Sequence, residues 1–264
     1  MKMLALALLG GILAAGSPAS AQEKPDLKTQ VVEYKHGSVV LEGYLAWDPA
    51  ISGKRPGVLV IHEWRGHGEY VRRRAEQLAR LGYIAFAVDM YGKGVFAKDH
   101  EEAGKLAGAF FGDRKLMRER AAAGLDVLRK HELCDATKIA AMGYCFGGTA
   151  ALELGRAGLD LRGIASFHGN LANPHPEDAK NIKAKVIVFH GLDDAFVGPD
   201  VVRAFHDEMK AAKADYVFVG FSGAVHSFTV KEAGDDNSKG MAYNEKADKR
   251  SWGMLQGFLK EIFQ

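Results

Sequence analysis

The chain has 264 residues, 47% hydrophobic and 26% charged, with 31 Gly and only 7 Pro, which excludes a disordered, collagenous or coiled-coil protein. Basic and acidic side chains nearly balance, 35 Lys and Arg against 33 Asp and Glu, and only Arg72 to Arg74 are clustered, so no nucleic-acid footprint is present. At this length about three quarters of the unfolded chain's surface can be buried, so one domain with one large core is expected, and the arginine triplet is expected on a solvated helix face.

Lys2 precedes an apolar run from Met3 to Ala15, then Gly16-Ser17-Pro18 and the small residues Ala19-Ser20-Ala21. A basic start, a short apolar stretch and a small-residue cleavage site are the marks of a secretory signal over residues 1–21. The run is about 13 residues, short of the ~20 that span a bilayer. A mature domain of residues 22–264 is therefore expected, secreted or periplasmic, without stable membrane association.

Val31 to Tyr34 and Val39 to Ala46 alternate apolar and polar residues around His36-Gly37 and read as two antiparallel strands. Gly57 to Ile61 is continuously apolar; a helical stretch from Tyr70 to Leu81 follows, then a second apolar strand from Tyr83 to Val88. Strands apolar on both faces, joined by a helix, belong in a parallel sheet covered on each side. The unit repeats: a helical region from His100 to His131, a strand over 138–143, a helix from Phe146 to Ala157, and strands at Gly163 to Phe167 and Val186 to His190. A helix near Val201 to Lys213, a strand from Tyr216 to Val219 and a last helix from about Ala242 to Phe263 complete it. The expectation is a doubly wound α/β domain: a mostly parallel eight-stranded sheet with helices on both faces, and chemistry beyond the carboxyl ends of the strands. The glycine-rich stretch from Asp89 to Gly112 is expected to be a mobile flap.

Exported proteins usually pair their cysteines, and there are two, Cys134 and Cys145. The strand between them puts its ends about 20 Å apart at ~3.3 Å per residue, beyond a disulfide's reach. Both thiols are expected free, Cys134 as a small buried hydrophobe.

Gly143-Tyr144-Cys145-Phe146-Gly147-Gly148 joins a buried strand to a helix and matches the nucleophile elbow G-x-S-x-G with Cys for Ser. Its glycines permit a sharp turn that holds the sulfur at the positive end of a helix, favouring thiolate. Asp194 follows the next-to-last strand and His226 the last, so nucleophile, acid and base come in the order of the α/β-hydrolase fold. Cys145 is the expected nucleophile, His226 its base and Asp194 the carboxylate that orients the imidazole; Asp193 is left a turn or supporting role. His62, His168 and His190, also at strand ends, are expected to be satisfied by backbone carbonyls. No helix carries metal-ligand spacing, so no metal or other cofactor is expected. Backbone N–H groups of Trp64 and Phe146 are placed to form an oxyanion hole, and Glu63 either pairs with Arg65 or tunes the sulfur's ionisation.

The elbow, the Asp194 and His226 segments and His62-Glu63-Trp64 together resemble the dienelactone hydrolase family (carboxymethylenebutenolidase), from about Val39 to the C terminus. The resemblance implies an α/β-hydrolase fold, a triad of Cys145, Asp194 and His226, amides of Trp64 and Phe146 as oxyanion hole, and Glu63 holding the cysteine proton until substrate arrives. It also implies two arginines that grip a substrate carboxylate. At the first place this chain has Lys93, and at the second, in Thr229-Val230-Lys231, no arginine. Lys93, Tyr91 and Tyr144 are the candidate substrate-binding residues. The expected partner is a small-molecule ester or lactone, hydrolysed through a thioester, and a monomer is expected rather than an oligomer. A thioesterase or peptidase-like acyl transfer fits the same three side chains; a hydrolase fold kept only to bind a ligand is the reading of another class, and the intact set argues against it.

Overall fold

The structure is a computed structural model, and residues 26–264 are described; the expected signal segment lies outside them. An antiparallel hairpin opens the domain, β1 (Lys28–His36) and β2 (Val39–Trp47), turning at Gly37, whose φ of 59° suits glycine. There follow β3 (Arg55–Ile61), α1 (Glu69–Ala79), β4 (Ile84–Val88), α2 (His100–Gly112) and α3 (Arg114–Lys130). Next come β5 (Cys134–Tyr144), α4 (Phe146–Arg156), β6 (Gly163–Phe167), β7 (Lys185–Gly191), α5 (Pro199–Ala211), β8 (Tyr216–Phe221) and α6 (Glu245–Phe263). Among the described residues they build one eight-stranded sheet, ordered β1-β2-β4-β3-β5-β6-β7-β8, with β2 antiparallel to β4 and every later pair parallel.

Period-two alternation in strands apolar on both sides divides the core into two layers. In β3, Leu59 and Ile61 face the layer under α3, α4 and α5, with Leu125, Leu152 and Phe205. Val58 and Val60 face the other, under α1 and α6, with Leu78 and Leu255. All four β3 side chains are fully buried, which explains the unbroken apolar run.

Three expectations change. The region from His100 to His131 is two helices, because Asp113 ends α2 and its side chain accepts from the Leu116 N–H to start α3. The stretch after β4 is pinned rather than free: Asp89 Oδ1 accepts from the N–H groups of Tyr91 and Gly92, Arg120 donates to the Met90 carbonyl, and Ala97 N–H donates to Arg65. The arginine triplet is not a uniform solvated face. Arg74 is buried, bonded to Asp248 at 2.6 Å, with its guanidinium over the rings of Tyr70, Tyr144 and Trp252. Both cysteines are free, as their spacing required.

Candidate active site

Between the end of β5 and the start of α4 stands Cys145 alone, with φ 53° and ψ −115°. A non-glycine residue held there is strained by about 1–3 kcal/mol, and tight packing imposes it. A Cβ on Gly143 would lie 2.1 Å from the Gly147 carbonyl oxygen, and one on Gly147 would lie 2.2 Å from that of Ile61. Only glycines let strand and helix meet this closely. Cys145 caps α4, so its sulfur adjoins the positive end of that helix.

His226 reaches the elbow from the loop after β8. Its Nε2 lies 3.0 Å from Cys145 Sγ, and its Nδ1 donates to Asp194 Oδ2 at 2.8 Å. The other Asp194 oxygen accepts from the N–H groups of Phe196 and Val197, which fixes the carboxylate, whereas Asp193 points to solvent. Burial disfavours a charged imidazole, but the sulfur's negative charge and Asp194 outweigh it and lift the His226 pKa to about 10. One hydrogen-bonded line thus joins the three side chains that the chain order singled out.

Glu63 differs from expectation. Arg65 donates instead to the carbonyls of Ala97 and Lys98, and the Glu63 side chain has no hydrogen bond or ion pair among the described residues. It is not bonded to Cys145, whose sulfur is turned to His226. Burial pushes its carboxyl up to about 7; Glu232 adds to this, while His226, Arg74 and Arg65 oppose it. The N–H groups of Trp64 and Phe146 have no acceptor among the described residues, as an oxyanion hole requires.

Two buried histidines have different tasks. His62 is satisfied by backbone as expected, bonded through Nδ1 to the Glu63 carbonyl and accepting from Met90 N–H, and burial lowers its pKa to about 4. His168 does more: its Nδ1 shares the Cys145 N–H, at 3.2 Å, with the Phe167 carbonyl at 2.9 Å, and its Nε2 donates to Thr229 Oγ1 at 2.8 Å. Thr229 Oγ1 lies 2.6 Å from the Tyr70 hydroxyl, which accepts from Arg74. The line therefore runs from the elbow through the His226 loop to α1 and α6. Nothing local in the sequence marks His168 or Thr229 for this. His190 is buried beside Phe218 with an unpartnered Nδ1.

The three candidate substrate-binding residues lie elsewhere than expected. Lys93 pairs with Glu33 and Glu42 on the outer hairpin, because its N–H donates to Val40 and Gly92, at φ 141°, turns the chain that way. Tyr144 is wholly buried on the opposite face of the sheet, against Tyr70, Phe167 and Arg74, and does not reach a substrate. Tyr91 packs on His62 and Phe146 and donates its hydroxyl to the Trp64 carbonyl at 2.9 Å, so it braces the Trp64 loop. A cavity of about 1110 Å³ opens beside the three-residue line, walled by Glu63, Trp64, Tyr70, Phe96, Phe196 and Ser227 among others. Cys145 and His226 are not among the residues of its wall; His226 adjoins it through the Phe196 ring and its chain neighbour Ser227.

The sequence model described as "Dienelactone hydrolase family" matches residues 41–263. The chain belongs to the dienelactone hydrolase family. Every residue of the site lies within that match. The fold is that of the α/β-hydrolases, and the chain is a hydrolase by membership. A solved dienelactone hydrolase-like promiscuous phosphotriesterase from metagenomic libraries is 37% identical, with a TM-score of 0.86 over 90% of this chain and 99% of its own. A protein of Synechocystis sp. described as "Putative carboxymethylenebutenolidase" is 25% identical over 90% of this chain and 97% of its own length. "Protein usf" of Aquifex pyrophilus is 28% identical over 88% and 98%.

Proposed function

We propose that this dienelactone hydrolase-family protein cleaves ester or lactone bonds through a Cys145–His226–Asp194 triad and a thioester intermediate. The observation that carries the reading is the 3.0 Å approach of His226 Nε2 to a sulfur on a strained strand-to-helix turn, with Asp194 2.8 Å from the other ring nitrogen. The sulfur, as thiolate, attacks the carbonyl carbon, and the carbonyl oxygen takes up the negative charge. Amides of Trp64 and Phe146 meet that charge, worth about 3 kcal/mol per donor in such sites. As the tetrahedral species collapses, the carbon–oxygen bond breaks and protonated His226 gives its Nε2 proton to the leaving oxygen. Water then attacks the thioester, His226 accepts its proton, and the carbon–sulfur bond breaks to release the acid and restore the thiolate. Asp194 keeps the imidazole in the orientation both transfers need.

The test is hydrolysis of 4-nitrophenyl acetate by wild type, Cys145→Ala and His226→Gln. Each variant is expected to lose about a thousandfold or more in kcat, and a stopped reaction should show wild type carrying an acetyl group on Cys145. Full activity in Cys145→Ala would remove the reading. Export is part of the same proposal, supported by the basic residue, short apolar run and small residues at the start of the sequence: N-terminal sequencing of the exported protein should begin at Gln22.

A further inference from the structure

The cavity's charges and aromatic rings describe what it accepts. Three cations line it, and each is occupied. Arg65 donates to two carbonyls, Arg73 pairs with Glu232 at 2.5 Å and Glu69 at 3.8 Å, and Lys239 pairs with Asp236 at 3.8 Å. Lys93, the cation placed by sequence where a substrate carboxylate would be gripped, is on the outer hairpin and lines no part of the cavity. Glu63 lines the cavity without a hydrogen bond or ion pair, so the wall beside the sulfur offers a ligand carboxylate no attraction there. A ligand carboxylate would have to displace backbone carbonyls from Arg65, or a carboxylate from Arg73 or Lys239.

The uncharged part of the wall is aromatic. Phe96 and Phe196 are 51% and 59% exposed, and both stand on the rim of this cavity. Large apolar side chains exposed beside a reactive group are binding surface. The Phe196 ring meets that of His226 edge-on, 5.5 Å between centres. His226 delivers the proton to the leaving oxygen, so a group attached to that oxygen extends along Phe196.

We infer that the site takes an uncharged ester or lactone with an aromatic group on the alcohol side, and discriminates against substrates bearing a free carboxylate. This rests on the proposed cysteine-esterase reading. It departs from the carboxylate grip that family resemblance led us to expect, because the cation that would supply it is spent elsewhere.

The experiment compares kcat/KM for phenyl acetate and 4-carboxyphenyl acetate, each divided by its hydroxide-catalysed rate constant to remove intrinsic reactivity. The neutral ester is expected to be favoured by about tenfold or more. Lys93→Ala should leave the anionic ester's value unchanged. Phe196→Ala should lower kcat/KM for phenyl acetate about fivefold through KM, and leave 2,2,2-trifluoroethyl acetate almost unaffected. Equal or better use of the anionic ester, lost with Cys145→Ala, would overturn the substrate class and leave the esterase reading standing. An equal effect of Phe196→Ala on both acetates would overturn the aromatic subsite. If neither phenyl ester is turned over, or turnover survives Cys145→Ala, the esterase reading falls and takes this inference with it.

Discussion

Because the Glu63 carboxyl is half-buried in the cavity wall and accepts no hydrogen bond, ionising it costs free energy, and its pKa stands near 7 against an ordinary 4.5. The folded protein therefore retains a proton that the unfolded chain gives up between pH 4.5 and 7, and this contribution to stability declines as pH rises through that window. Glu63→Gln removes the titration. Relative to wild type, the variant should gain roughly 1–3 kcal/mol on going from pH 5 to pH 8, read from urea unfolding at both values. A difference between the two proteins that does not change with pH would contradict it. Residue types in order along the chain were enough to nominate Cys145, Asp194 and His226, because strand ends converge on one edge of a parallel sheet. They could not say that Lys93 turns outward. That depends on Asp89 holding a turn from which the chain bonds to β2, a contact across more than forty residues.

Elements meet at the elbow with no spare volume, and this can be measured. Gly147→Ala, whose Cβ would press on the Ile61 carbonyl at 2.2 Å, should cost more than about 3 kcal/mol or prevent folding. Gly104→Ala in α2 has nothing within 4 Å and should stabilise by about 0.5–1 kcal/mol. Comparable denaturation midpoints for the two would mean the crowding is relieved by a backbone shift. The line from Cys145 N–H through His168 to Thr229 ties the elbow to the His226 loop. Thr229→Val leaves the His168 Nε2–H buried without an acceptor and should cost about 1–3 kcal/mol, while Thr229→Ser should keep most of the stability. Equal losses in both would show that packing of the Thr229 methyl, not its hydroxyl, matters. This line was illegible beforehand, since its three members come from three separate loops and share no motif. The break at Asp113 was legible in principle: Gly112 followed by an Asp that caps the next turn is a stop and a start together.

Across the whole molecule, the two thiols report on how the sheet distributes burial. Cys134 enters β5 1% exposed, and burial pushes its thiol up to about 11, whereas Cys145 follows the end of the same strand partly exposed. Of the two cysteines, a thiol-directed chromogenic reagent should titrate one in the native protein and both in denaturant, with Cys145→Ala removing the native signal. Two fast native thiols would show that the strand's first residues fray.

From the sequence alone came the order and kind of the elements, the parallel sheet and the three reactive side chains, because periodicity, turn chemistry and chain order are local properties that repeat with the fold. Tertiary structure alone decided the state of the charges. It left Glu63 without a partner, occupied each cation in the cavity wall, and buried Arg74 and Tyr144 on the far side of the sheet. The physical reason is that ionisation and pairing depend on distance in space, and residues far apart in sequence become neighbours only when the sheet is assembled.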